Sequence, residues 1–229
     1  LKGDDESMRA VAITLVREIP GTEVTKALAA ELPNLPVTGQ VQLLSALADR
    51  GDKAALPAVT QATRSANQSV RIAALRALGQ IGDASSVTLL AKMAATTTAD
   101  EQKAARESLY RLRGEDIDQA ILTAIPTVEP KVKRELISSI GERNIVAGTQ
   151  ILLKTAKDPD SGTQRESFKV LKLVATEKEL PALVQLLIDI QNESVRSEAQ
   201  RTIAAIARKI KDPSRQVEVV LSALGKVKD

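Results

Sequence analysis

Apolar residues in this chain recur at steps of three and four. In QSVRIAALRALGQIGD, residues 68–83, Val70, Ala73-Ala74, Ala77-Leu78 and Ile81 share one helical face, and the run stops at Gly82-Asp83. Asn67 or Ser65 is placed to cap the start, Ser65 with Gln68 three residues on as in a capping box. Gly82 is placed to close the helix in the left-handed conformation. Alanine supplies much of the buried stripe, which predicts a neighbour at very close range.

The same helix is written again along the chain. Steps of about 31 residues from Val70 reach Met8, Gly39, Glu101 and Val132, and one inserted residue carries the register to Gln164 and Val195. MRAVAITLVREI repeats the stripe with Val11-Ala12, Leu15-Val16 and Ile19, and VRSEAQRTIAAI repeats it with Ala199, Thr202-Ile203 and Ile206. Shorter apolar segments lie between these helices, among them TEVTKALAAEL (22–32), ASSVTLLAKMA (84–94) and ELPALVQLLIDI (179–190). Gly-acid pairs introduce most of them: Gly51-Asp52, Gly82-Asp83, Gly114-Glu115 and Gly141-Glu142. The unit is therefore helix, turn, helix, tight turn. One unit cannot bury its own apolar face, so the units must stack. Val and Ile follow helical rather than alternating spacing, so no strands are predicted.

This unit resembles a HEAT repeat, in particular the short bacterial variety also called phycobilisome-lyase-type. The resemblance rests on Val70-Arg71 and Val195-Arg196, with Met8-Arg9 and Val132-Lys133 close to them. The Ala pair, the Ala-Leu pair and Ile-Gly-Asp follow, and Pro57 and Pro181 stand where the family places a first-helix proline. Ser65 and Pro159 replace the acid often found before the second helix, so no regular acid-to-arginine ladder is expected. The resemblance implies an all-α, right-handed superhelical solenoid of antiparallel helix pairs, with about seven repeats, as one domain over residues 1–229.

Composition narrows the chemistry. Aromatic residues make up 1% of the chain, Tyr110 and Phe168, so small aliphatic side chains must fill the core. The net charge is only +3, from 32 basic and 29 acidic residues, well short of a dedicated nucleic-acid binder. There is no Cys and no His, which removes disulfides, thiolate metal sites and the usual Ser- or Cys-based nucleophile pairs. No apolar run is long enough to span a membrane. Neither a cofactor nor a metal is expected, and no enzyme activity; the compartment is not written in these residues.

Two rows of polar residues are candidates for function. The first, one residue past each register position, holds Arg9, Gln40, Arg71, Gln102, Lys133, Arg165 and Arg196. Such a row reads as structural, bonding turn carbonyls and neighbouring rungs, or as a surface for phosphate or an acidic partner. The second row, five residues on, holds Thr14, Ser45, Arg76, Glu107, Ser138, Val170 and Arg201, with no common chemistry. DPDSG, 158–162, has two acids at calcium-loop spacing, but its Gly comes one position early and Lys169 stands where a loop glutamate belongs, so it reads as a turn with Asp160 or Ser161 capping the next helix. Thr98 and Glu101 stand at capping-box spacing.

The expected function is a scaffold that binds a protein or peptide on the concave face formed by second helices. Arg71, Arg76, Lys133, Arg165, Arg196 and Arg201 are the candidate contacts. The alternative is nucleic-acid or polyanion binding through the same basic residues, against which the missing aromatic platform counts. Bilin lyases share the repeat type, but no distinct feature of this sequence carries that activity. A monomer is expected. Helix 6–19 matches a second helix without a first, and PSRQVEVVLSALGKV, 213–227, a first without a second, so a segment of a longer protein with exposed apolar ends is also expected.

Overall fold

A computed structural model describes residues 6–16, 18–212, 214, 216 and 217. The expected helix over 213–227 falls outside these except at three positions, and so does the side chain of Arg9.

The described residues contain helices and no strand. In chain order the helices are α1 (Glu6–Val16), α2 (Thr22–Ala30), α3 (Val37–Arg50), α4 (Leu56–Ala62), α5 (Gln68–Ile81), α6 (Ser86–Thr96) and α7 (Ala99–Arg111). They continue with α8 (Ile117–Ala124), α9 (Pro130–Glu142), α10 (Thr149–Thr155), α11 (Ser161–Val174), α12 (Leu180–Asp189) and α13 (Glu193–Ala207). The odd-numbered helices are the recurring second helices, and the even-numbered ones are the shorter partners. The chain forms two compact units, Leu1–Ala120 and Ile121–Asp229, with the boundary inside α8. In the first unit α1, α3, α5 and α7 pack side by side in order, and in the second α9, α11 and α13 do the same.

Local sequence explains the helix ends. Asn67 caps α5, its Oδ1 accepting from the backbone N–H of Ser69 and Val70; Asp160 caps α11 and Asn192 caps α13 in the same manner. Pro57 and Pro181 occupy the first turns of α4 and α12, where a missing N–H costs nothing. Gly51 closes α3 at φ 68°, ψ 7°, and Asn144 takes φ 54° in the turn after α9. Gly82 differs from the expectation. Its φ of −62° and ψ of 160° are extended, not left-handed. A Cβ there would lie 2.4 Å from the Leu78 carbonyl oxygen and 2.7 Å from Leu112 Cδ2, so space rather than torsion requires glycine.

Within each unit the core is a set of columns running across its second helices. Leu43, Ala74 and Ala105 are fully buried at equivalent positions in the first unit, and Leu136, Ser167 and Ala199 at the same positions in the second. Beside them Leu78 and Leu109 are fully buried, whereas Ile203 is half-buried. Burial also corrects the register in α11. Thr163, at 0% exposure, continues Val70, Glu101 and Val132, while Gln164 is half-buried; the inserted residue therefore lies after Thr163. Polar side chains are tolerated in this core because they are bonded. Ser167 Oγ donates to the Thr163 carbonyl at 2.8 Å and lies 2.7 Å from Thr155 Oγ1.

Candidate partner-binding face

The first polar row is largely occupied within the chain. Gln40 Nε2 donates to the Leu35 carbonyl at 2.8 Å, and Gln102 Nε2 to that of Ala94 at 2.8 Å. Arg71 Nη1 reaches the Ser65 and Ala66 carbonyls at 2.9 and 3.0 Å, and Arg196 Nη2 reaches that of Ile190 at 2.7 Å. Gln40, Arg71 and Arg196 reach back to the connection before their own helix, and Gln102 reaches the last turn of α6, where helix-end carbonyls lack an intrahelical partner. Arg71 also makes two parallel bonds, Nε and Nη2 each 2.9 Å from a carboxylate oxygen of Glu101 on α7. The Glu101 side chain is 7% exposed. Glu101 therefore does not complete a capping box: Thr98 stands at the N-cap of α7 without a side-chain cap bond.

The acid that meets Arg71 comes from the following repeat, whereas Arg196 has Glu193 of its own helix at 3.6 Å. In the second unit Lys133 Nζ lies 2.7 Å from Asp158 Oδ2, and Arg134 Nη1 lies 2.7 Å from Asp160 Oδ1. DPDSG is thus the turn that receives two cations from α9. The Thr163 side chain, its backbone N–H and Arg134 hold the Asp160 carboxyl below the usual carboxylate range, against an opposing effect of burial. No cluster of His, Cys, Asp or Glu among the described residues has the arrangement of a metal site. No helix among them is long and apolar enough to cross a membrane.

The second row forms the outer face of the second helices. With the register set by Thr163, its members are Thr14, Ser45, Arg76 and Glu107 in the first unit and Ser138, Lys169 and Arg201 in the second. Val170, expected in this row, is buried. Arg76 is exposed and makes no side-chain bond to the described residues. The Arg201 side chain is 73% exposed, with Glu198 at 3.6 Å. Arg165 is exposed as well, but stands one residue beyond Gln164, the true member of the first row. Of the six candidates, then, Arg76, Arg165 and Arg201 present their charge outward, while Arg71, Lys133 and Arg196 are engaged internally.

Two features escaped the sequence reading. Arg50, at the end of α3, donates to the carbonyls of Val16, Ile19 and Gly21 and to Thr25 Oγ1, and so fastens the connection between α1 and α2. A recess of about 610 Å³ opens at the C-terminal ends of α3, α5 and α7, lined by Ala48, Gly79, Gln80, Tyr110, Arg111 and Arg113 among others. The Arg-x-Arg before Gly114 was its only trace in the sequence.

Stacked helix pairs with a period near 31 residues, an alanine column and a carbonyl-binding row define a helical-repeat protein. The profile of the HEAT repeats matches residues 25–110 and 119–204, and the chain belongs to that family. No curated protein matches the sequence. Among solved structures, an engineered protein from the Northeast Structural Genomics Consortium is similar, with 21% identity over 94% of this chain and 67% of that one, at a TM-score of 0.43. The complex of CpcE and CpcF of phycocyanin lyase from Nostoc sp. PCC7120 is 16% identical, over 99% of this chain and 92% of that chain, at a TM-score of 0.44.

Proposed function

We propose that this protein is a non-catalytic scaffold that binds a protein or peptide on the outer face of its second helices, the concave side of a HEAT stack. The observation that carries this reading is the contrast between the two rows. The first is used up in holding the stack together. The second is exposed at Ser45, Arg76 and Arg201 and differs from repeat to repeat, as a surface fitted to one partner would. Glu107 in that row, and Glu166 beside Ser138 and Lys169, break its positive charge, which favours a mixed protein surface over a polyanion.

The test is capture of the native partner by the parent chain and by an Arg76→Glu, Arg201→Glu variant. Both side chains are exposed, so helicity should be retained and capture weakened. Undiminished capture would overturn the assignment of this face. Affinity measured against salt separates the classes: a phosphate backbone gives a steep linear fall in log affinity with log salt, a mixed protein surface a shallow one.

A further inference from the structure

Among the described side chains of the first polar row, Gln164 is the exception. Gln40 Nε2 donates to the Leu35 carbonyl and Gln102 Nε2 to that of Ala94, whereas the Gln164 amide makes no bond with the described residues. The cause lies in the connection before α11. Lys133 and Arg134 of α9 take Asp158 and Asp160, each at 2.7 Å, and Asp158 Oδ1 also accepts from the backbone N–H of Asp160. Two ion pairs from the preceding second helix thus hold this connection, and the glutamine placed to fasten it is left unspent. Its half-buried amide keeps both its donor and its acceptor side for an incoming group.

Gln164 lines a crevice of about 480 Å³ between that connection and the end of α12. The volume falls within the roughly 300–1,000 Å³ of ligand clefts. Pro159, Leu186 and Ile190 give it an apolar lining. It carries one cation, Lys157 on the connection, and one anion, Asp189 at the end of α12. Both are exposed and make no side-chain bond with the described residues. The equivalent crevice of the first unit, about 430 Å³, is lined by Gln40, whose amide is already engaged.

We propose that the Gln164 crevice binds a short extended stretch of a partner polypeptide by its main chain. The occupant follows from the row. At Gln40 and Gln102 the same amide takes a peptide carbonyl, so at Gln164 an incoming peptide supplies the carbonyl, and Oε1 accepts from a peptide N–H. The apolar lining receives one aliphatic side chain, and Lys157 and Asp189 suit a segment with an acid on one side of it and a base on the other. One cation balanced by one anion gives a polyanion no net attraction. This site is separate from the outer face proposed above and does not depend on it.

The probe is a pentapeptide, acetylated and amidated, with glutamate and lysine at its ends around Ala-Leu-Ala, made in both charge orders. Titrated at millimolar concentration into the isotope-labelled full chain, it should shift the Gln164 side-chain amide resonance saturably in at least one order, while the Gln40 and Gln102 amides stay in place. Gln164→Leu should weaken binding about tenfold and leave the melting temperature unchanged, because it breaks no internal bond. Gln40→Leu should do the reverse, melting earlier and binding like the parent. No saturable shift with either peptide would overturn the proposal, as would a Gln164→Leu variant that binds like the parent or melts as early as Gln40→Leu. An equal shift with free leucine would make the crevice a site for a small zwitterion, and a shift on raising the protein concentration alone would make it a contact between copies. Either result also overturns the peptide assignment.

Discussion

Arg71 of α5 and Glu101 of α7 form a two-bond ion pair across a repeat boundary, at the position where α5, α9 and α13 carry Val70, Val132 and Val195. A charge in a buried column is tolerated only while its partner stays. Arg71→Ala should therefore cost about 3–5 kcal/mol, because it strands the carboxylate. Glu101→Val should cost less, and Arg71→Leu combined with Glu101→Val should recover most of the loss. Urea unfolding of the three variants checks the order; equal losses in all three would show that the carboxylate is better hydrated than its burial indicates.

The alanine and glycine columns set how closely the helices approach. Leu78→Ala should cost about 2–5 kcal/mol through the cavity it leaves. Ala74→Leu should cost about 1–3 kcal/mol by overpacking. Gly79→Ala brings a Cβ within 2.9 Å of the Ser108 backbone and should cost about 1–3 kcal/mol. Gly51→Ala meets nothing within 4 Å and should cost about 1–2 kcal/mol through its positive φ alone. Thermal melts of the four, interpreted with high-resolution structures of the two glycine variants, separate lack of space from torsion. A Gly79→Ala variant as stable as the parent would contradict the close approach.

Asp160 gives stability a pH dependence of known sign. Its carboxyl is lower in pKa folded than unfolded, so its contribution is present above the unfolded value, near pH ~4, and is lost as pH falls through the folded value. Asp160→Asn keeps a good cap but removes the charge. At neutral pH the variant should be less stable than the parent by up to about 1 kcal/mol, since the pair with Arg134 is one-third exposed. The difference should narrow below pH ~4, measured by thermal melts across pH.

Arg50 holds α1 through carbonyls and one hydroxyl rather than through a carboxylate. Arg50→Ala should therefore speed amide hydrogen exchange in α1 and α2 while leaving α5 protected. Arg50→Lys should fail to restore protection, because an ammonium lacks the planar fork that reaches several acceptors at once. Restoration by lysine would mean that charge alone suffices.

The repeat period, the helix pairing and most of the core were legible because apolar spacing reports helix faces directly. The register slip in α11 was not, because Thr163 and Ser167 read as polar until their hydroxyl bonds are known. Glu101 read as a cap because the residue that engages it, Arg71, lies 30 positions away. The same distance hid which candidates were free. Arg71, Lys133 and Arg196 look like Arg76 and Arg201 in sequence, and only the acids and carbonyls brought round by neighbouring turns distinguish them. Arg50 gave no signal at all, since carbonyl acceptors carry no residue identity.

That last property has a consequence for how such a chain changes over generations. Gln40, Arg71 and Arg196 bind the peptide backbone of the connection before them, and Gln102 that of the last turn of α6, acceptors which every sequence supplies. Connections so held can drift in side chain without loss of their fastening, and a repeat can be copied or exchanged with its fastening intact. The Arg71–Glu101 pair works the other way. It ties two particular neighbours into one heritable unit, and a recombination point between α5 and α7 would have to carry both residues or neither.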